Sequence, residues 1–194
     1  LFATCATAML KRLAVAHGQP AAAVSAALFD SDADATACKG SALLHAAAEG
    51  DGERVAAALH AAGAKRVDDC AANGVTPLML AARAGSEGAV RELLRAGAAP
   101  AVRSRSGCTA LGLAAAVGAS VVAVSLVRAG APLDVADDEG VTPLLAAAEG
   151  GHLEAVAQLL AAGAKADQAR RDGATALLRA AYGGHQQADG DTPH

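Results

Sequence analysis

Threonine recurs with a period of 33 along most of the chain, at Thr76, Thr109, Thr142 and Thr175, and glycine keeps the same step two positions earlier, at Gly74, Gly107, Gly140 and Gly173. A further set, Gly97, Gly130 and Gly163, repeats at the same interval. A fixed period of this length means that one supersecondary unit is copied, and a unit so small cannot bury its apolar side alone, so its neighbours must cover it. One more unit fits upstream with a single extra residue, which puts Gly40, Ala42 and Gly63 in the corresponding places and an insertion between Gly63 and Gly74. Tolerance of a length change marks that stretch as a loop.

The unit predicts two helices. In Gly140-Val141-Thr142-Pro143-Leu144-Leu145-Ala146-Ala147-Ala148, Thr142 suits an N-cap and Pro143 the first helical position, where a missing N–H costs nothing. Gly150-Gly151 stops this helix. His152 then opens a second one, with Leu153, Val156, Leu159 and Leu160 at three-to-four spacing and Gly163 as a left-handed cap. Composition agrees: the chain is 53% apolar, yet it has 57 alanines, no Trp, one Tyr and two Phe. Alanine is the strongest helix former and lets helices approach closely, whereas a sandwich or barrel needs β-branched and aromatic residues, so an all-β fold is excluded. Residues Ser106–Val127 form a run without charge, long enough for a membrane span. Their weakly inserting Ala, Gly and Ser, and the break at Gly118-Ala119-Ser120, assign them instead to two short helices.

This pattern resembles the ankyrin repeat, G-x-T-P-L-H-x-A-A-x-x-G-H with an L-L-x-x-G-A ending. The best matches are Thr76-Pro77-Leu78-Met79-Leu80-Ala81-Ala82 with Gly85, and Thr142-Pro143-Leu144-Leu145-Ala146-Ala147-Ala148 with Gly151 and His152. The resemblance implies an all-α solenoid of helix-turn-helix-loop units over residues 37–70, 71–103, 104–136 and 137–169, with a partial unit at 170–187. Ala110 and Ala176 replace the proline, Ala42-Leu43 the Thr-Pro pair, and Met79, Gly112, Leu145 and Leu178 the first-helix histidine, which survives only as His45. In the family that histidine orders loops between neighbours, so its hydrogen bonds are expected to be missing elsewhere. His152 and His185 match the histidine that opens the second helix.

Residues 1–36 fit the period loosely and read as a capping helix pair or a degenerate repeat, since an open stack needs an atypical end unit. Leu1 to His17 forms the longer helix, Pro20 starts the second, and Leu1, Phe2, Leu10, Leu13 and Leu28 would close the apolar end face. At the other end, residues 188–194 are a tail or the start of a further repeat, because Gly190-Asp191-Thr192-Pro193 repeats the opening motif only about half a period after Gly173. The other half of that unit is therefore expected to be missing between Gln187 and Ala188. A start at Leu1 rather than Met tells nothing of a targeting segment.

Net charge is −4 with only 16 Lys+Arg, too little for an extended nucleic-acid footprint. Cys5, Cys38, Cys70 and Cys108 form no C-x-x-C pair, which argues against zinc and a disulfide scaffold and for reduced thiols in an intracellular setting, the cytoplasm first, with an organelle or the cilium as alternatives. No G-x-x-x-x-G-K-[ST], H-E-x-x-H or G-x-S-x-G motif occurs, so neither a cofactor nor an enzyme activity is expected.

The resemblance implies that a protein partner meets loop fingers and the concave face of the first helices. By register the variable finger positions are Cys38, Lys39 and Ser41; Ala72, Asn73 and Val75; Arg105, Ser106 and Cys108; Asp138, Glu139 and Val141; and Arg171, Asp172 and Ala174. Arg83, Glu149 and Tyr182 stand where first helices end, and Arg103 and Asp137 adjoin the fingers. The expected function is a protein-protein interaction scaffold without a small-molecule substrate. Its rival is a regulatory or anchoring segment of a longer multidomain protein, an enzyme among the options. A third reading, Arg103, Arg105, Arg170 and Arg171 on phosphate in a ribonucleoprotein, is opposed by the acidic balance. Leu78, Leu111, Leu144 and Leu177 are expected to share one buried position.

Overall fold

A computed structural model of the protein describes residues 42–62 and 67–182. Among these residues there are nine helices and no strand: α1 Ala42–Glu49, α2 Gly52–Ala62, α3 Pro77–Arg83, α4 Glu87–Arg95, α5 Ala110–Ala116, α6 Ser120–Arg128, α7 Pro143–Glu149, α8 Leu153–Ala161 and α9 Ala176–Tyr182. The odd-numbered helices pack in one row and α2, α4, α6 and α8 in a second, with each pair joined as a hairpin. This is a two-layer all-α solenoid. The uncharged run divides into α5 and α6 at Gly118, whose φ is +70°. No helix among the described residues is long and apolar enough to cross a membrane.

Local chemistry sets the helix starts. Thr76, Thr109 and Thr142 each accept at Oγ1 from the amide three positions on, of Met79, Gly112 and Leu145, and Thr175 does so from Leu178 at 3.5 Å. Pro77 and Pro143 occupy first positions. Between the rows lies one continuous core of Leu, Val and Ala, in which Leu78, Leu111 and Leu144 are buried.

Leu177 departs from that series: it is 81% exposed, against 2% for Leu144 one step earlier. The helices that carry the buried leucines, α3, α5 and α7, each pack against the odd-numbered helix of the following unit, and no described helix lies beyond α9. The expectation of four equivalent buried leucines holds for three.

The first unit is also offset differently. Gly50, Gly85, Gly118 and Gly151 all have φ near +70° and donate to Ala47, Ala82, Ala115 and Ala148 in the same way. The last two steps in that series equal the repeat period, and the first is longer by two. The first unit therefore holds two extra residues, not one. They come before Asp68, whose carboxylate accepts from Ala99 N as that of Asp134, two full periods further on, accepts from Lys165 N. Helix α2 accounts for them, with 11 residues where α4, α6 and α8 have 9. In this register Leu44, not His45, stands at the family's histidine position, and like Met79 and Leu145 it is buried. His45 faces solvent and pairs with Glu49 at 3.0 Å. Apolar burial has replaced the loop-ordering histidine in all three units. The proposed cap at 1–36, the finger positions Cys38, Lys39 and Ser41, His185 and the tail at 188–194 lie outside the described residues.

Candidate functional site: a row of linked fingers

The loops between units share one closure. Ala71, Ser104, Asp137 and Arg170 donate to the carbonyls of Val75, Cys108, Val141 and Ala174. Gly74, Gly107, Gly140 and Gly173 bond back to the residue three before each, at φ between +77° and +85°. A reverse turn followed by a left-handed residue calls for glycine. The tips carry Ala72-Asn73, Arg105-Ser106, Asp138-Glu139 and Arg171-Asp172.

Successive fingers are joined through backbone, Arg105 N donating to Asn73 O at 2.9 Å and Asp138 N to Ser106 O at 3.1 Å. Glycine permits this approach, since a Cβ on Gly74, Gly107 or Gly140 would lie 3.2, 3.0 and 3.0 Å from the amide nitrogens of Arg105, Asp138 and Arg171. Other ties join the units below the fingers. Ser86 Oγ donates to Gly50 O at 2.6 Å, and His152 Nε2 lies 3.2 Å from Ala116 O, so His152 opens α8 as expected but its ring serves the unit before it.

Many charges near the fingers are engaged within the chain. Arg103 donates from Nε to Gly107 O at 3.1 Å and from Nη2 to Ala136 O at 2.9 Å, bridging two fingers. Arg170, largely buried, pairs with Glu139 and lies 3.5 Å from Glu149. Glu149 also meets Arg179 at 3.1 Å, with the facing Oε1 and Nε atoms out of solvent, and Arg179 reaches Asp172 at 2.5 Å. The Ala174 amide, with Arg179 alongside, holds the Asp172 carboxyl below its ordinary range. Burial raises the Cys108 thiol, and nearby Asp137 adds to the shift, so that sulfur is a neutral, poor nucleophile at neutral pH. Among the described residues no group of three or more His, Cys, Asp or Glu is placed to hold a metal ion.

Of the residues expected at the partner surface, Arg105, Asp138, Glu139, Arg171 and Asp172 are exposed at the tips. Arg83 and Glu149 are half-buried at the ends of α3 and α7, and Tyr182 is the last residue of α9. Arg103 and Asp137 are tied into the fingers themselves. Val75 and Ala174 are buried, and Cys108 and Val141 half-buried, so the position before each threonine faces inward rather than toward a partner. Arg179 escaped the sequence reading. It occupies the column of Leu80, Leu113 and Ala146, and a charge in that apolar column is the signal that could have found it.

Asp137 Oδ1 accepts from Glu139 N at 2.9 Å and Val141 N at 2.8 Å, yet burial, with Glu139 nearby, raises its carboxyl above the ordinary value despite those amides and Arg170. A carboxyl whose folded pKa is raised stabilises the fold when protonated and loses that contribution as pH rises through the folded pKa. Asp137→Asn keeps the acceptor and removes the charge. It is expected to melt higher than wild type at neutral pH, with the advantage shrinking on acidification as Asp137 takes up its own proton. A melting series from pH 7 downward checks this, and a variant that melts lower at neutral pH would contradict it.

Two rows of short paired helices with glycine-tipped, mutually bonded fingers define a helical repeat protein whose units depend on their neighbours. The family model for ankyrin repeats (3 copies) matches residues 12–104, 43–131 and 111–188. The chain belongs to the ankyrin-repeat family. No curated protein matches it at a significant level.

Proposed function

We propose that this chain is a non-catalytic scaffold that binds a protein partner through its fingertips and the adjoining ends of the first helices, free or as a subunit of a larger assembly. Ankyrin repeats are generally protein-protein interaction modules, which supports the class of function. The observation that carries the reading is the rigid presentation of exposed tips. Backbone bonds and glycines hold the fingers to one another, and a preorganised surface loses little entropy on binding. The free thiols of Cys70 and Cys108 support a reducing intracellular setting, with the cytoplasm as the compartment.

Photo-crosslinking tests it. A reactive side chain at Ser106 or Glu139, both exposed at the tips, is expected to capture a protein in extract from the native source. The same group at Glu87 or Arg91, exposed on α4 in the other row, is expected to capture none. Capture from α4 alone would place the interface on the row of α2, α4, α6 and α8 and overturn the proposal.

A further inference from the structure

Three charges occupy one and the same place in successive fingers. Arg105, Asp138 and Arg171 are one repeat period apart, each the first tip residue after the turn begins, and each is exposed. Their signs alternate. Among the described residues none of these three side chains forms an ion pair or hydrogen bond, whereas the neighbouring charges do: Arg103 with carbonyls, Asp137 with amides, Glu139 with Arg170, and Asp172 with Arg179. Each is also set against the glycine of the finger before it. The amides of Arg105, Asp138 and Arg171 lie 3.2, 3.0 and 3.0 Å from where a Cβ would stand on Gly74, Gly107 and Gly140. Backbone bonds therefore fix Arg105 and Asp138 in register, and the close approach of Arg171 N to Gly140 sets the third beside them, while the charges of all three remain unspent.

Packed helices lie about 8–10 Å apart, which sets the step along this row. A polyproline-II segment has three residues per turn and rises about 3.1 Å per residue, so every third side chain falls on one side at about 9 Å. A β-strand would put the same residues on alternate faces. We propose that Arg105, Asp138 and Arg171 read an extended, polyproline-II-like segment of a protein partner carrying acidic, basic and acidic side chains at every third position, laid along the fingers. This rests on the fingers being the protein-binding surface, as proposed above. Single exposed pairs are weak. Three attractions in the right order, set against three repulsions in the wrong one, fix register and exclude other segments. Asp138 in the middle of the row sets this apart from a phosphate track, which would be disfavoured at its centre.

The test uses the full chain and short synthetic peptides, rich in Pro and Ala, with a charge at every third position. Glu-x-x-Lys-x-x-Glu is expected to bind about tenfold more tightly at low salt than Lys-x-x-Glu-x-x-Lys. It should also bind more tightly than Lys-x-x-Glu-x-x-Glu, which has the same net charge in a different order. The triple variant Arg105→Glu, Asp138→Lys, Arg171→Glu should reverse the first preference with its melting temperature nearly unchanged, since none of the three has a partner to lose. Equal affinities, a ranking that follows net charge alone, an unreversed ranking in the triple variant, tighter binding of an RNA oligonucleotide than of any peptide, or no peptide binding would each overturn the proposal. Capture at Ser106 alongside any of these would leave the fingers a protein-binding surface that reads something other than this charge order.

Discussion

Leu144→Ala is expected to destabilise the protein by about 2–5 kcal/mol, the range for truncating a well-packed core leucine. The identical substitution one unit on, Leu177→Ala, is expected to change stability by about 0.5 kcal/mol or less, as for a surface site. Only 2% of Leu144 is exposed, on α7 packed between α5 and α9, while Leu177 on α9 is 81% exposed. In a stack whose stability is roughly a sum of units and nearest-neighbour contacts, a cavity under Leu144 also weakens the docking of α9. Chemical denaturation of the two variants beside wild type checks the contrast. Equal losses would show that the end face is covered or that the register is wrong.

Gly107→Ala is expected to cost about 2–3 kcal/mol, the strain of a left-handed alanine plus a lost hydrogen bond, and its comparison with Gly130→Ala isolates what the fingers contribute. Both glycines are left-handed, at +77° and +85°, a conformation that costs an L residue roughly 1–2 kcal/mol. Around Gly130 nothing lies within 4 Å of an added Cβ, so strain is the whole cost there. At Gly107 the Cβ would stand 2.6 Å from Arg103 Nη2, 2.9 Å from Asp138 Oδ1 and 3.0 Å from Asp138 N. The link from Asp138 N to Ser106 O must then stretch and the Arg103 guanidinium must leave its carbonyls, adding about 1 kcal/mol for a lost hydrogen bond. Melting of both variants, with hydrogen exchange at the Asp138 amide, checks this. Equal destabilisation and an unchanged amide would show that the fingers are not coupled.

The parts of this fold that were legible in the sequence are those fixed by single residues. Thr142 caps a helix, Pro143 starts it and Gly163 ends the next one, each by local geometry that recurs from unit to unit. The offset of the first unit was less legible. Ala46, Ala47 and Ala48 look alike from the sequence, and only the bond from Gly50 N to Ala47 O decides which of them matches Ala82. His45 was misplaced for that reason. The exposure of Leu177 could not be read from its own unit, since burial in a stack is conferred by the next one. Alternation of charge along the fingers was visible, but which charges remain available was not. The pairing of Arg170 with Glu139 and Glu149, and of Arg179 with Glu149 and Asp172, arises only when units are stacked.

The joints between fingers are made of two different materials. Asn73 to Arg105 and Ser106 to Asp138 are stitched by amide and carbonyl, which carry no net charge and are indifferent to electrolyte. The next joint adds ion pairs, Arg170 with Glu139 and Glu149 and Arg179 with Glu149, and only the Glu139 end is largely open to solvent, where ions screen attraction over about 8 Å at physiological ionic strength. Ionic strength thus leaves the two stitched joints as they are, and at the third it weakens the exposed Arg170–Glu139 contact more than the half-buried pairs of Arg170 and Arg179 with Glu149.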